Sequence, residues 1–242
     1  IRAAFCRAFV GQGGRIRGDT QAGYALALQL GLLPPALEEK AAAHMVRALR
    51  AYGGHLSTGI QSTVRMMLEL ARFGYLAEAY GLLLKRTIPS WGYMVEHGGT
   101  TVWERWDGWV EGRGFQNPGM NSFNHYAIGA VGEFVYRVVL GLNPDEEAPG
   151  WRHFTVRPLP PPPGVTDDLT WARGSYRSVR GTIGVEWRIE EGEFRLEVEV
   201  PANTTATVVL PGGRTRRRVG SGRHRFAVRA ANGTTRPRGR AR

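Results

Sequence analysis

A single glutamate lies among aromatic residues in the stretch TTVWERWDGW, positions 100–109. Trp103 directly precedes Glu104, and Trp106 and Asp107 follow within three residues. An indole ring offers a broad apolar surface and one N–H donor, which suits the C–H faces and hydroxyl groups of a sugar ring. A carboxylate that loses water to such neighbours changes its proton affinity, which suits it to acid–base catalysis. The pattern therefore favours a carbohydrate site with Glu104 as its catalytic group.

The same stretch also has a purely structural interpretation. The tryptophans would then fill a hydrophobic core, and Glu104 would form an ion pair with Arg105 or Arg113. Residue types and spacing agree with both interpretations.

A second polar cluster lies in NPGMNSFNHYAIGAVGEF, positions 117–134. We predict that His125 lies one turn inside a helix, behind Asn121 and other polar residues that mark the helix start. Such a cluster indicates a loop rim, where binding residues collect. The alternatives are a capping role for Asn121 and a core position for His125. Trp91, in the glycine-rich stretch PSWGYMVEHGG at 89–99, is a further binding candidate.

Apolar residues recur at helical spacing over the first 142 residues, so we predict that helices flank and position these loops. Asp19 or Thr20 is a candidate cap for one of these helices. Two long glycine-rich loops, 53–59 and 87–120, separate the helix pairs. Helix pairs joined alternately by short turns and long loops predict a helical toroid in which one rim collects the functional loops.

Beyond residue 150 the pattern changes. Apolar and polar residues alternate, and Glu-Gly and Asn-Thr pairs mark turns between the alternating runs. This predicts a small antiparallel β domain over about residues 151–230.

The net charge of +11 raises the question of nucleic-acid binding. Residues 1–150 hold 14 Lys and Arg against 13 Asp and Glu, and residues 151–210 hold 7 against 8. Residues 211–242 hold 11 arginines and no acid, with Phe226 as the one Phe, Tyr or Trp among them. Because base stacking needs interleaved aromatic rings, we disfavour nucleic acid as a partner. We interpret residues 231–242 as a solvated basic tail.

Composition excludes intrachain disulfides, multi-cysteine metal sites and membrane-spanning segments of ordinary length. The one cysteine, Cys6, allows neither an intrachain disulfide nor a multi-cysteine metal site. No stretch reaches the roughly 18 consecutive apolar residues of a membrane span, so we predict no membrane partner. No motif indicates a metal or another cofactor, and we expect none.

Several motifs resemble, in order and spacing, those of the bacterial α-L-rhamnosidases of glycoside hydrolase family seventy-eight. The motifs are GDTQ, HLSTG, PSWGYM, GGTTVWERWDGW and NPGMNSFNHYAIGAVGEFVYR. In the β segment, LTWARGSYRS and VPANTTATVVLP resemble the C-terminal sandwich of that family. The resemblance covers roughly residues 5–230 and implies a partial (α/α)6 helical toroid followed by a small antiparallel β-sandwich.

The resemblance also implies roles for individual residues. In the family, the glutamate of the Trp-Glu-Arg-Trp block is the general base of an inverting hydrolysis, and this position is Glu104. The histidine of the Asn-His-Tyr block contacts the rhamnose of a rhamnose-containing glycoside. The candidate substrate-binding residues are His125, Trp103, Trp106, Asp107, Asn121 and Trp91.

The chain also departs from the family pattern. It has no counterpart of the family's general acid, it starts at Ile1, and its pattern holds about five helices where a closed toroid needs twelve. We therefore predict a C-terminal portion whose partner is the missing N-terminal half of the same polypeptide. Its parts would be a half barrel over 1–146, a β-sandwich over 151–230 and the tail over 231–242. The alternatives are a carbohydrate-binding fragment and an (α/α)6 glycosidase with another sugar specificity.

Overall fold

The computed structural model of the protein describes residues 1–213 and 215–229. It divides into two compact units, the first over Ile1–Val131 and the second from Gly132 onward. The domain boundary that we expect from sequence, between 146 and 151, stays a prediction. The predicted tail at 231–242 lies outside the described residues.

The first unit is mainly helical. Its helices are α1 (Arg2–Phe9), α2 (Gln21–Gln29), α3 (Pro35–Ala51), α4 (Thr63–Arg72), α5 (Leu76–Leu83), α6 (Trp91–Glu96) and α7 (Tyr126–Gly129). Two 3₁₀ turns, Gln12–Gly14 and Pro118–Met120, and a short hairpin of β1 (Trp109–Val110) with β2 (Gly114–Phe115) complete it. No helix among the described residues has the length and apolar character needed to cross a membrane.

Helix α2 is the centre of this unit, because it packs against both α3 and α4. Its start is fixed by Thr20, whose Oγ1 accepts a hydrogen bond from Gly23 N at 3.1 Å, so Thr20 rather than Asp19 is the cap. Full burial of an apolar side chain contributes about 1.5–3 kcal/mol. The fully buried side chains of the three helices include Tyr24, Leu28, Met45, Leu49, Met66, Met67 and Leu70.

The stretch 87–120 is not one continuous loop, which corrects our expectation. Helix α6 forms within it because Ser90 Oγ accepts a hydrogen bond from Tyr93 N at 3.0 Å and so caps the first turn. The glycines at 98 and 99 end this helix. Because they make the stretch as rich in glycine as a loop, its composition alone did not predict the helix.

The prediction that Asn121 and its polar neighbours mark the start of a helix, with His125 one turn inside it, is also wrong. Helix α7 begins only at Tyr126, and His125 is its N-cap rather than a residue one turn inside. The polar groups expected to cap the helix bind elsewhere. Asn121 Nδ2 donates to the carbonyl of Gly108 at 2.8 Å, and Ser122 Oγ accepts from Asn124 N at 3.2 Å, before the helix begins.

The second unit opens with a short helix, α8 (Gly132–Phe134), and a π-helical turn over Val135–Val139. Two four-stranded sheets follow, with strand orders β10-β7-β6-β5 and β3-β4-β8-β9. The strands are β3 (Leu142–Pro144), β4 (His153–Val156), β5 (Trp171–Ser178), β6 (Gly181–Glu190), β7 (Glu193–Val200), β8 (Thr205–Val209), β9 (Arg216–Val219) and β10 (Gly222–Arg229).

All strand pairs of this unit are antiparallel except β4 with β8, which is parallel. The fully buried Trp187 of β6 lies in the core of the unit and donates from Nε1 to the carbonyl of Val139 at 2.7 Å. Strands β9 and β10 take up part of the basic stretch, so its residues 216–219 and 222–229 belong to sheets.

Candidate functional site

Backbone hydrogen bonds bring Glu104 and His125 to one place in the first unit. Glu104 N donates to the carbonyl of Ser122 at 2.8 Å, and His125 N donates to the carbonyl of Val102 at 2.8 Å. Residues 102–104 and 122–125 therefore lie side by side. Two residues that are 21 positions apart in the chain thus share one rim.

The Glu104 carboxylate is half-buried and held through one oxygen. Ser122 N donates to its Oε2 at 2.9 Å. Across residues 1–213 and 215–229, no cationic side chain forms an ion pair with Glu104. The pairing with Arg105 or Arg113 that the structural interpretation requires is therefore not found. The second oxygen, Oε1, accepts no hydrogen bond from the described residues.

Arg105 is engaged with Asp107 instead. Its Nε and one terminal nitrogen each donate to a different Asp107 oxygen at 2.9 Å, which is a bidentate pair. The hydrogen bond from Arg105 lowers the pKa of Asp107, and the Asp107 carboxylate in turn raises the pKa of Arg105. Asp107 is thus an ionised, paired carboxylate beside Glu104 in sequence.

The tryptophans divide between core and rim. Trp103 is 4% exposed and packs with Tyr93 and Met94, so it has the core position that the structural interpretation gives it. Trp106 and Trp91 are half-buried and meet edge to face, with ring centroids 5.1 Å apart. Both indoles therefore keep part of their surface accessible.

Indole N–H groups fix the two rim tryptophans. Trp106 Nε1 donates to the carbonyl of Thr58 at 2.7 Å, and Trp91 Nε1 donates to the carbonyl of Ile128 at 3.2 Å. A hydrogen-bonded indole keeps one ring orientation, which is needed if its face is to contact a sugar.

His125 has a defined tautomer. Its Nδ1 accepts from Ala127 N at 3.3 Å, so the proton of the neutral ring is on Nε2. The ring stacks on Tyr126 at a centroid distance of 5.4 Å, and Tyr126 is 87% exposed. His125 therefore presents an N–H donor in a half-buried setting, not in the core position of the alternative interpretation.

Asn121 braces the loop through its side-chain amide nitrogen. Besides its bond to Gly108, Asn121 Nδ2 donates to the carbonyl of Gln116 at 2.5 Å. Its Oδ1 is buried and finds no hydrogen-bond donor among the described residues. The amide thus ties residues 108–116 to the segment that leads to His125.

Gln21 is a structural residue of the rim that our sequence interpretation missed. It is 1% exposed, its Nε2 donates to the carbonyl of His55 at 2.9 Å, and its Oε1 accepts from Ser57 N at 2.9 Å. Gln21 therefore holds the loop that carries Thr58, the partner of Trp106. The signal was present, because GDTQ and HLSTG are two of the motifs that carry the resemblance.

A cavity of about 260 Å³ lies next to this region and is lined by His97, Trp103, Trp109, Phe115 and Phe123 among others. Glu104 is not one of its lining residues. Among the described residues, no three His, Cys, Asp or Glu side chains cluster in the way a metal ion requires.

Comparison with known proteins gives the same family along both units. Residues 1–139 match the model of the bacterial alpha-L-rhamnosidase 6 hairpin glycosidase domain, and residues 141–225 match the bacterial alpha-L-rhamnosidase C-terminal domain. An alpha-L-rhamnosidase of Streptomyces avermitilis is 41% identical over 246 residues, and one of Formosa agariphila is 34% identical over 213 residues. These matches cover 94% and 87% of this chain but only 23% and 22% of the relatives.

Solved structures agree with the sequence matches. The Streptomyces avermitilis enzyme, complexed with L-rhamnose, superposes with a TM-score of 0.86 at 41% identity over 94% of this chain and 23% of that one. The alpha-L-rhamnosidase of Aspergillus terreus superposes with a TM-score of 0.87 at 36% identity over 96% of this chain and 26% of that one. The predicted fold class, a partial (α/α)6 toroid followed by a β-sandwich, is thereby confirmed.

Proposed function

This chain belongs to the bacterial α-L-rhamnosidase family, and from that we propose that it is the C-terminal portion of an inverting α-L-rhamnosidase with Glu104 as general base. The observation that carries the proposal is the state of the Glu104 carboxylate. One oxygen is fixed by Ser122 N at 2.9 Å, no described cationic side chain forms a direct ion pair with the group, and its backbone is hydrogen-bonded to the segment of His125.

The proposed step is attack of one water molecule on the anomeric carbon of a terminal α-L-rhamnoside. Glu104 Oε1 takes a proton from the water as the water oxygen bonds to that carbon. The bond from the carbon to the departing oxygen breaks, and that oxygen takes a proton from an acid. In inverting glycosidases the two carboxyl groups lie roughly 6.5–9.5 Å apart, which leaves room for the water.

The acid is expected from a part of the enzyme other than this chain. Asp107 is the nearest carboxylate in sequence, but its bidentate pair with Arg105 lowers its pKa and keeps it ionised. A group that stays deprotonated cannot donate the proton that the departing oxygen needs.

His125, Trp106 and Trp91 would bind the sugar. The Nε2–H of His125 would donate to a rhamnose hydroxyl, because Nδ1 is already occupied by Ala127 N. The edge-to-face pair of Trp91 with Trp106 supplies apolar surface for the C–H groups and the methyl group of rhamnose.

A graft tests this proposal. The matching C-terminal segment of the Streptomyces avermitilis enzyme, which is 41% identical, would be replaced by residues 1–242 of this chain. We expect the hybrid to hydrolyse nitrophenyl α-L-rhamnoside, and Glu104→Gln to lower its kcat about 10²–10⁴-fold. Glu111→Gln is the matched control, because this carboxylate is 81% exposed and lies in the same loop region.

Two further measurements identify the role of Glu104 within the hybrid. Proton NMR of the first-formed sugar should show the β anomer if the water attacks with inversion. Sodium azide should partly restore turnover of Glu104→Ala, because a strong nucleophile needs no base. A folded Glu104→Gln hybrid with unchanged kcat would show that the base is another group. A folded hybrid that prefers the nitrophenyl glucoside would refute the proposed sugar specificity.

A further inference from the structure

A cavity of about 970 Å³ lies in the first unit, lined by residues of α1, the glycine-rich segment 11–19 and α3. Its size falls within the range of about 300–1,000 Å³ that is usual for small-molecule sites. We call this cavity the basic groove, because its lining holds one carboxylate, that of Asp19, and four cationic side chains. The cations are Arg15, Arg17, Lys40 and Arg47.

Three of these cations have no acidic partner. Arg15 lies 3.6 Å from Asp19. Over the described parts of the chain, Arg17, Lys40 and Arg47 form no ion pair, and all three side chains are exposed. A cleft lined by one sign of charge focuses the electrostatic field and attracts ions of the opposite sign. Burial of these cations by a group that carries no negative charge would be strongly unfavourable, because the cations would lose their hydration without gaining a partner.

The groove is held in a fixed shape. His44 Nε2 donates to the carbonyl of Gly13 at 3.1 Å, which ties the glycine-rich segment to α3. Its Nδ1 then accepts from Arg47, so the guanidinium group is directed by the imidazole. The ring of Tyr24 stacks on that of His44, with centroids 5.7 Å apart and planes 6° apart.

Glycine at position 14 allows the close approach of this segment to α3. A Cβ atom there would lie 3.1 Å from the carbonyl oxygen of Leu37, and the residue has a φ of +77°. A loop positioned this way loses little further freedom when a ligand binds, which favours affinity.

We propose that the basic groove binds an anionic saccharide, whose carboxylate or sulfate groups pair with Arg17, Lys40 and Arg47. Guanidinium groups bind both anions through paired N–H donors. The identification of the ligand as a saccharide rests on the proposed function, whereas its negative charge follows from the groove itself. The enzyme would then act on rhamnose attached to an acidic glycan.

The groove also connects with the candidate site through bonded neighbours. Asp19 borders the groove, and Gln21, two residues later, holds the loop at His55 and Ser57. Thr58 in that loop accepts the indole N–H of Trp106. The segment that borders the groove is therefore linked, through Gln21, to the loop that orients Trp106.

Binding to the purified chain by isothermal titration calorimetry tests this proposal. The ligands are trigalacturonate, a sulfated maltotriose and neutral maltotriose, at about 0.15 M salt so that diffuse charge effects are screened. The groove variant removes three charges and carries Arg17→Gln, Lys40→Gln and Arg47→Gln. The control variant removes three exposed charges of strand β9 and carries Arg216→Gln, Arg217→Gln and Arg218→Gln.

We expect at least one anionic trisaccharide to bind and neutral maltotriose not to bind. The groove variant should bind the anionic ligand about tenfold more weakly or worse, and the control variant within about twofold of the unchanged chain. The anionic ligand that binds more tightly identifies carboxylate or sulfate as the recognised group. Circular dichroism of each variant verifies that the fold is retained.

Several results would overturn the proposal. Equal losses in the two variants would mean that net charge, not the groove, attracts the anions. Equal binding of neutral maltotriose and the anionic trisaccharides would show that negative charge does not determine recognition. Tighter groove-dependent binding of a single-stranded DNA oligonucleotide would identify a nucleic-acid site instead. The calorimetry involves no hydrolysis, so its failure leaves the Glu104 assignment untouched, and failure of the hybrid enzyme leaves the binding result untouched.

Discussion

Single residues of the candidate site are oriented mainly by backbone groups. The Glu104 carboxylate accepts from Ser122 N, and the His125 imidazole accepts from Ala127 N. Each side chain therefore has one atom fixed and one atom available for chemistry. Glu104 has no direct ion pair among the described residues, while the neighbouring Arg105 is paired with Asp107.

The pairing of Asp107 gives a prediction about pH. Because the hydrogen bond from Arg105 lowers the pKa of Asp107 in the folded state, the pair stabilises the fold at pH values above the unfolded pKa, near 3.9. This stability is lost as the pH falls through the lowered folded pKa. The pair is partly exposed, so we expect Asp107→Asn to cost less than about 1 kcal/mol at pH 7 and progressively less in acid, as measured by urea unfolding.

Titration of the Asp107 carboxyl carbon by NMR separates the causes of this shift. We expect Arg105→Gln to raise the midpoint toward the unfolded value, since the hydrogen bond from Arg105 is the largest cause of the lowering. Arg113→Gln should raise the midpoint less, because Arg113 acts only through its more distant charge. The opposite order of the two variants would contradict the bidentate pair.

Sequence reasoning identified Glu104 and His125 as candidates, but it could not assign the individual tryptophans. Trp103 fills the core and Trp106 stands on the rim, because Trp106 donates to Thr58, 48 residues away. A contact over that distance leaves no local pattern in the chain. Gln21 was missed for the same reason, since its partners lie 34 and 36 residues away.

Individual helices depend on caps that can be tested directly. Thr20 Oγ1 satisfies the N–H of Gly23 at the start of α2, the helix that packs on both α3 and α4. We expect Thr20→Ala to lower the free energy of unfolding by about 1 kcal/mol and Thr20→Ser to have little effect. Urea denaturation followed by circular dichroism provides the comparison, and equal losses in the two variants would exclude the cap.

The connection from the π-helical turn to β3 depends on a glycine. Gly141 has a φ of +77°, and a Cβ atom there would overlap the backbone of Arg157 and Pro158. Gly192, in the β6–β7 turn, has a φ of +74° and no neighbour within 4 Å. We therefore expect Gly141→Ala to destabilise by at least about 3 kcal/mol and Gly192→Ala by only about 1 kcal/mol.

Thermal or urea unfolding of these two variants measures the difference. Both changes impose similar backbone strain, so the excess loss at Gly141 isolates the overlap with Arg157 and Pro158. Similar losses at the two glycines would show that the backbone moves to admit the methyl group.

Element starts and turns could be predicted wherever local chemistry decides them. Thr20 caps α2 as its sequence indicates, and the Glu-Gly pair at 191 and 192 forms the predicted turn, with positive φ at both residues. The helix expected from residue 121 was wrong because Asn121 binds the carbonyls of residues 108 and 116, and Ser122 Oγ accepts from Asn124 N in a local turn. The sequence alone does not distinguish a residue that caps a helix from one of the same type whose side chain binds a partner far along the chain.

For the whole molecule, we predict that the purified 242-residue chain has no measurable α-L-rhamnosidase turnover. The matched relatives are about four times its length, since 94% and 87% of this chain span only 23% and 22% of them, and the proposed mechanism needs an acid from elsewhere. Loss of one member of an acid–base pair lowers the rate about 10²–10⁴-fold. Release of nitrophenol from the rhamnoside measures this, and turnover that Glu104→Gln abolishes in the chain alone would contradict the missing acid.

The overall fold class was predictable because the motifs occur in a recognisable order along the chain. The pairing of β4 with β8 was not, because both strands alternate in the same way and their connection includes the entire β5–β7 segment. Alternation shows which face of a strand is buried, but it does not show whether its neighbour is parallel or antiparallel.

That parallel pair has a consequence for synthesis on the ribosome. His153 lies opposite Thr205, 52 residues later, so β4 has an unpaired edge until the β8 codons have been translated and the nascent strand has left the exit tunnel. At about 5–20 residues per second this interval lasts seconds. During that time the three-stranded meander of β5, β6 and β7 emerges and can form, so β4 and β8 pair after three of the four strands of the other sheet are already available.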